Sequence, residues 1–308
     1  MNIRQLKIKI RVFLWKVLGS KDTQPEVKRL QEQVKTLQFL LNTLHDVKKV
    51  PPTSDSDLRL LQLCDSQLLV LIDKLCEKHH LNYWLDYGTL LGAYRHKGFI
   101  PWDDDTDIAM LRSDYNQIAN IINQELGQYG IHANEIDGRI GVGYRHKETG
   151  IWIDLYPIDD YFSENTFEID CQLLSTICKE YKSHIINKKK PFISKDLAQI
   201  IIDKLYSEDK PQNHHFVYYC PRSYGAKPTF NNYDDIFPLK KISFEGYNFK
   251  VPNKIELYLE RLYTKGFKSF PTTGILNHGI GRTPLSTWAK ENNVDMNKVL
   301  TILKNIEI

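Results

Sequence analysis

The sequence predicts an α+β fold, a mixed sheet flanked by helices, with a helical and coiled-coil extension at its N-terminus. Apolar residues recur at helical spacing over 58–79, 113–126, 166–187 and 195–206. Between and after these segments lie short strand-like runs, at 81–85, 138–144, 151–156, 241–244 and 247–251. Residues 1–50 differ from the rest, with 11 Lys/Arg against 4 Asp/Glu. The remaining chain is slightly acidic, so the formal charge of +3 belongs to an arm and not to the body. A nucleic-acid partner is not expected on that balance.

Within the arm, Ile3, Leu6, Ile10, Phe13 and Val17 form one helical face, with Arg4, Lys7 and Arg11 away from it. A basic amphipathic helix over residues 1–20 suits peripheral contact with an anionic membrane, or packing on the protein itself. Pro25 opens the next segment, 21–50, where Val27, Leu30, Val34, Leu37, Leu41 and Leu44 alternate by three and four. That heptad seam predicts a coiled-coil oligomer, a dimer by its Val and Leu positions. A catalytic domain is expected over 51–308, after the break at Pro51 and Pro52. Its long first helix carries Leu61, Cys64, Leu68, Leu71 and Leu75 on one face. Glu245 and Gly246 mark the turn of a hairpin. Asn253 and Glu256 predict a capping box for a helix running through Tyr263.

The five cysteines, Cys64, Cys76, Cys171, Cys178 and Cys220, are scattered and form no CxxC pair. Free thiols in a reducing compartment are expected, not a zinc module or a disulfide framework. No run approaches the ~20 apolar residues that span a bilayer. The N-terminal apolar patch is interrupted by Arg11 and Lys16, unlike a signal peptide. A cytoplasmic protein is expected, peripheral at the inner face of the membrane if the amphipathic arm binds there.

The chemistry concentrates between Leu85 and Met110. Asp103, Asp104, Asp105 and Asp107 fall within five positions, beside Trp102, Ile108 and Met110. Carboxylates so close repel each other and resist burial, and a divalent cation is the usual remedy. On a strand, residues two apart share a face, so Asp105 and Asp107 are expected to project together. Asp104 is then expected to point the other way. Asp154 lies in an apolar strand-like run, Ile151 to Tyr156, which a neighbouring strand would bring beside the pair. Three converging carboxylates suit Mg²⁺ or Mn²⁺. Gly88-Thr89 is read as a turn that opens backbone N–H groups to phosphate, with Arg95, His96 and Lys97 as its cations. Arg145 and Arg282 are weaker candidates for substrate contact. An EF-hand loop is excluded, since its Gly and closing Glu are missing.

The 21 residues from Gly88 to Ile108, followed by Asp154 within Ile153 to Pro157, resemble the signature of the LicD family. That family includes bacterial phosphocholine transferases and the animal fukutin-related protein. Weaker similarity runs from about Leu58 to the segment Phe237 to Phe267. The resemblance implies a nucleotidyltransferase-like fold. It also implies a CDP-activated donor, CDP-choline or a CDP-polyol such as CDP-ribitol, passing its phosphorylated group to a glycan hydroxyl and leaving CMP. Asp105 and Asp107 match the family's metal-binding aspartates, Asp103 its first aspartate and Asp154 its later one. Tyr87 departs from the pattern, where many members carry a small residue. The zinc-binding cysteines of the animal relative are missing, and the heptad segment has no counterpart.

The mechanism expected from these residues is phosphoryl transfer by positioning and charge neutralisation. Asp105, Asp107 and Asp154 would hold the metal, Arg95 and Lys97 would stabilise departing CMP, and Asp154 or Asp103 would take the acceptor's proton. Two alternatives remain at this level. One is a nucleotidyltransferase making a CDP-activated precursor from CTP and releasing pyrophosphate. The other is a non-catalytic scaffold for glycan assembly. Aromatic residues that would suit a choline group (Tyr83, Trp84, Tyr87, Trp102, Trp152, Tyr156) and polar ones that would suit a polyol are equally available, so composition does not name the transferred group.

Overall fold

A computed structural model describes residues 56–136, 138–144, 150–189, 193–205, 214–219, 228–269 and 295–308. The amphipathic helix, the heptad segment, Cys220, Arg145 and Arg282 lie outside the described residues. The first described element is α1, Ser56–Lys78. Its spaced apolar face becomes fully buried at Cys64, Leu68, Ile72 and Leu75. A short strand β1 (Trp84–Leu85) leads into helix α2 (Tyr87–His96) and strand β2 (Thr106–Leu111). Helix α3 (Arg112–Glu125) then returns the chain to an antiparallel pair, β3 (Ile131–Ile136) and β4 (Arg139–Tyr144).

Strand β5, Trp152–Ser163, is the spine of the sheet. Its first half pairs in parallel with β2 and antiparallel with β4, giving the order β1-β2-β5-β4-β3. Its second half pairs with β6 (His214–Tyr219), which carries β7 (Thr229–Asn232). One strand thus serves two ends of a seven-stranded mixed sheet. Ile151, Ile153 and Leu155 are buried in the main core, whereas Trp152, Asp154 and Tyr156 take the opposite, half-exposed face. The strand alternation therefore delivers Asp154 to a surface and keeps it out of the core.

Helices α4 (Phe167–Asn187) and α5 (Ser194–Leu205) cover the far end, where Leu174, Ile177, Leu197, Ile201, Phe216 and Tyr218 form a second core. A single turn, α6 (Tyr233–Ile236), precedes the hairpin β8 (Lys240–Phe244) and β9 (Tyr247–Val251). Glu245 and Gly246 turn that hairpin with φ of 52° and 85°, the paired positive values a two-residue turn of this hand requires. Helix α7, Ile255–Tyr263, follows, and α8, Met296–Lys304, packs against α1.

The expected α+β architecture of a mixed sheet flanked by helices is present. Four details differ. Gly88-Thr89 is not a turn but the first turn of α2, capped by Asp86, whose side chain accepts from Tyr87 N–H. Strands β3, β6 and β7 and helix α8 were not evident from periodicity. The capping box does not form: Asn253 N–H donates to Ile236 O and its amide to Asp234 O, while Glu256 accepts from Tyr94 OH and Lys268. Finally, β2 begins at Thr106, so Asp105 precedes the strand that carries Asp107. No described helix is long and apolar enough to cross a membrane.

Candidate active site

The site is built where α2, β2, β4 and β5 meet. Asp107 lies directly opposite Asp154 across the parallel β2–β5 pair, so both carboxylates share one face of the sheet. The start of β2 is fixed by α2. Asp107 N–H donates to Thr89 Oγ1 at 2.8 Å, and Asp107 O accepts from Asp86 N–H at 3.0 Å. Thr89 is thus an anchor of the strand. Gly88 serves the adjacent carboxylate: a Cβ there would sit 2.5 Å from Asp103 Oδ2. Only glycine allows Asp103 so close to the N-terminal turn of α2, where the helix dipole favours negative charge.

Asp103, Asp104 and Asp105 offer oxygens that lie within 4.8 Å of one another. Asp104 is therefore drawn in with its neighbours, contrary to the alternation expected of a strand, because these three residues precede β2. Burial first, and then Asp105 and Asp104, push the Asp103 carboxyl well above the usual carboxylate range. Asp107 is raised well above it too, by burial and then by Asp105, Asp154, Asp103 and Asp86. Asp86, missed from sequence, is fully enclosed and is raised to about 6 by burial, against the lowering effect of its bonds from Tyr87 N–H and Tyr258 OH.

Asp154 is held differently. Trp152 Nε1 donates to its Oδ1 at 2.7 Å, and Arg139 Nε lies 2.8 Å from the same oxygen. The indole reaches that position because β4 offers it no side chains to climb over. A Cβ on Gly141 would lie 1.7 Å from Trp152 Cζ2, and one on Gly143 2.6 Å from Cε3. Gly141→Ala is expected to lift the indole off Asp154 and to cost about 1–3 kcal/mol of stability, as overpacking does, read by chemical denaturation.

The basic run, expected to supply cations for a phosphate, does not converge on one point. Arg95 is buried, and its guanidinium donates to the carbonyls of Phe267 and Ser269. His96 is lowered to about 4 by burial and then by Arg95, so it is neutral at pH 7 and brings no charge to a phosphate. Lys97 is exposed at the left-handed C-cap of α2, where its carbonyl accepts from Glu245 N–H. Helical geometry explains the divergence, since consecutive residues point about 100° apart.

Three tyrosines form a wall beside the carboxylates. Tyr87 meets Tyr156 edge-on at 5.2 Å between centroids, and Tyr156 meets Tyr219 at 5.3 Å. Burial foremost, with Asp107 among the further causes, raises the hydroxyls of Tyr87 and Tyr156, which stay protonated. Tyr83 and Trp84 are committed to the core, through bonds to Asp73 and Tyr258. Among the described residues the oxygens that cluster as a donor set are those of Asp103, Asp104 and Asp105, with Asp107 two residues on and Asp154 opposite it across β2–β5, and not the expected trio of Asp105, Asp107 and Asp154. An oxygen-only donor set fits Mg²⁺ or Mn²⁺.

Part of the chain around this site is similar to known proteins. Residues 80–191 match the family described as LicD/FKTN/FKRP, nucleotidyltransferase domain. The lipopolysaccharide cholinephosphotransferase LicD of Haemophilus influenzae is 44% identical over 72 residues, 23% of this chain and 27% of that one. An uncharacterized protein of Rickettsia typhi is 37% identical over 110 residues, 32% of this chain and 35% of that one. Human ribitol 5-phosphate transferase FKRP is 40% identical over 47 residues, 15% of this chain and 10% of that one. The matches thus span between a tenth and about a third of these relatives. Among solved structures, terminal uridylyl transferase 4 from Trypanosoma brucei with bound GTP aligns over 53% of each chain, at 13% identity and a TM-score of 0.19, which adds nothing to the fold described above.

Proposed function

We propose, for a chain that carries a LicD-family nucleotidyltransferase domain over residues 80–191, that it transfers phosphocholine from CDP-choline to a hydroxyl of a cell-surface glycan. The observation that carries this is the pairing of Asp107 with Asp154 on adjacent strands, with Asp103 and Asp105 near enough to raise the proton affinity of Asp107. A set of carboxylates this buried needs a cationic partner, and a metal-bound diphosphate supplies one. The named relatives are transferases of phosphorylated groups, cholinephosphate in one case and ribitol 5-phosphate in the other. The tyrosine wall favours the first, because tyrosine faces attract a quaternary ammonium.

Asp105, Asp107 and Asp154 would hold Mg²⁺ or Mn²⁺, which neutralises charge on the donor's diphosphate when bound. The acceptor oxygen attacks the phosphorus that bears choline, the bond to CMP breaks, and the hydroxyl proton passes to a carboxylate. Asp103 suits that last role better than Asp154. Its surroundings raise its proton affinity, whereas Asp154 is already engaged by Trp152 and Arg139.

The test is a donor screen on the full chain with CDP-choline, CDP-ribitol, CDP-glycerol and CDP-ethanolamine, with Mg²⁺ or EDTA, measuring CMP. CMP should form from CDP-choline, and chelation or the double change Asp105→Ala/Asp107→Ala should abolish it. Tyr156→Ala is expected to raise KM for CDP-choline about tenfold and to leave CDP-ribitol unaffected, the size of one cation–π contact. CMP from CDP-ribitol alone would sink the choline assignment. Pyrophosphate from CTP and a polyol phosphate, with no CMP from any donor, would replace transfer with nucleotide activation.

A further inference from the structure

We propose that Arg139 is the side chain that binds the donor's diphosphate, held ready for it by its contact with Asp154. This rests on the diphosphate donor proposed above. The first support is placement. In the β4–β5 register Gly141 pairs with Asp154 and Ile140 with Leu155, so Arg139, Gly141 and Gly143 lie on the face shared by Asp154, Tyr156 and Asp107. Arg139 therefore stands on the catalytic side of the sheet, one strand from Asp154 and two from Asp107.

The second support is what the neighbouring cations do. Arg95 is spent on the carbonyls of Phe267 and Ser269. Arg112 makes two bonds to Asp159, at 2.7 and 2.6 Å. Arg59 makes two to Glu245, and Arg261 bonds Asn231 and Asp235. Each of these guanidinium groups is fixed by at least two acceptors. Arg139 meets Asp154 through Nε, 2.8 Å from Oδ1. Among the described residues its two terminal nitrogens have no hydrogen-bond partner, and the side chain is 26% exposed. A guanidinium with a free planar fork, next to carboxylates and open to solvent, matches the geometry of a phosphate oxygen pair.

The third support is that Asp154 has a second anchor. Trp152 holds Asp154 Oδ1 independently, so Arg139 can turn to a phosphate without leaving that oxygen unbonded.

Calorimetric titration of the full chain with CDP, cytidine and inorganic pyrophosphate, in Mg²⁺, tests this in wild type, Arg139→Gln and Arg139→Lys. Arg139→Gln should weaken CDP and pyrophosphate about 10- to 100-fold and leave cytidine unchanged, the worth of a charge-assisted contact. Arg139→Lys should fall between, since it keeps the charge and loses the fork. Unchanged cytidine binding certifies the fold of each variant. Binding of CDP and pyrophosphate by Arg139→Gln within about twofold of wild type overturns the inference, as does equal loss of cytidine. Wild type that binds pyrophosphate but no cytidine compound refutes the CDP donor, and the pyrophosphate arm then decides Arg139 alone. Wild type that binds none of the three overturns both.

Discussion

Asp107→Asn should abolish transfer and make the metal-free protein more stable. Asp107 is buried at the centre of the cluster, with its backbone fixed at both ends by Thr89 and Asp86. The isosteric amide leaves those bonds intact and removes one negative charge. If Asp107 holds the proposed metal, which would neutralise a transferring phosphoryl group and contribute several kcal/mol, its loss should lower kcat/KM on the order of 10³-fold or more. Stability moves the other way. Burial first, and then four neighbouring carboxylates, hold the Asp107 carboxyl well above its usual range. The folded state therefore keeps its proton to a higher pH than the unfolded chain, whose carboxyl ionises near pH 4. In EDTA, wild-type stability should fall as pH rises from about 4 through the raised value, and Asp107→Asn should flatten that slope. A gain of about 1–2 kcal/mol at neutral pH is expected, as for other active-site charges that oppose folding. Mg²⁺ should stabilise wild type and not the variant. Urea denaturation across pH, with and without Mg²⁺, checks both halves. A variant less stable than wild type in EDTA at pH 7 would show that the cluster does not strain the fold.

The parts of this architecture that sequence made legible are those set by a repeating period. The 3.6-residue pattern of α1, the two-residue alternation of β5 and the hairpin turn at Glu245-Gly246 each follow from one local rule. The adjacency of Asp154 to Asp107 was reachable because an acid in an apolar strand requires a partner. Helix α2 was hidden by its glycines. Gly88 and Gly92 look like turn residues, yet each is there for close approach, to Asp103 Oδ2 and to the carbonyl of Gly98, where a Cβ would stand at 2.5 Å in both cases. Glycine read by conformation alone gives a turn; read by packing it is compatible with a helix. The Arg95-His96-Lys97 run misled for a related reason, because charges adjacent in sequence diverge on a helix. Arg139 did leave a trace. It shares strand parity with Gly141 and Gly143, a face stripped of side chains that only a large residue from the next strand could fill. Trp152 is that residue. Tyr219 left none, since its place beside Tyr156 depends on a strand pairing over sixty residues away in sequence.

Asp86→Asn is the second substitution with a large expected effect, and it separates a structural carboxylate from those proposed to act in transfer. Asp86 is 2% exposed, caps α2 and accepts from Tyr87 N–H at 2.8 Å and Tyr258 OH at 2.9 Å. Tyr258 OH in turn accepts from Trp84 Nε1 at 3.2 Å, so the acceptor end of the chain is fully used. Those bonds do not cancel the cost of burial, which lifts the carboxyl to about 6. Below about pH 4 the group is protonated in both states and costs nothing. Between about pH 4 and pH 6 the unfolded chain ionises first, and stability falls. Above pH 6 the full penalty of a two-unit shift applies, about 3 kcal/mol. Asparagine caps a helix as well as aspartate and presents the same Oδ1 to both donors. Its new N–H groups must find partners, at a cost of about 1 kcal/mol, which leaves a gain of about 1–2 kcal/mol at pH 7.5. That advantage should vanish between about pH 4 and pH 5 and reverse below, where only the cost of the new N–H groups remains. The difference between the two proteins isolates Asp86, because Asp103 and Asp107 titrate in both. Denaturation in EDTA from pH 4 to pH 8 measures it, and a difference that does not change with pH would mean that Asp86 ionises at the same pH folded and unfolded, which would refute the burial penalty. Pyrophosphate binding in Mg²⁺ should survive the substitution, since Asp86 supports β2 through its backbone N–H and keeps that bond as asparagine.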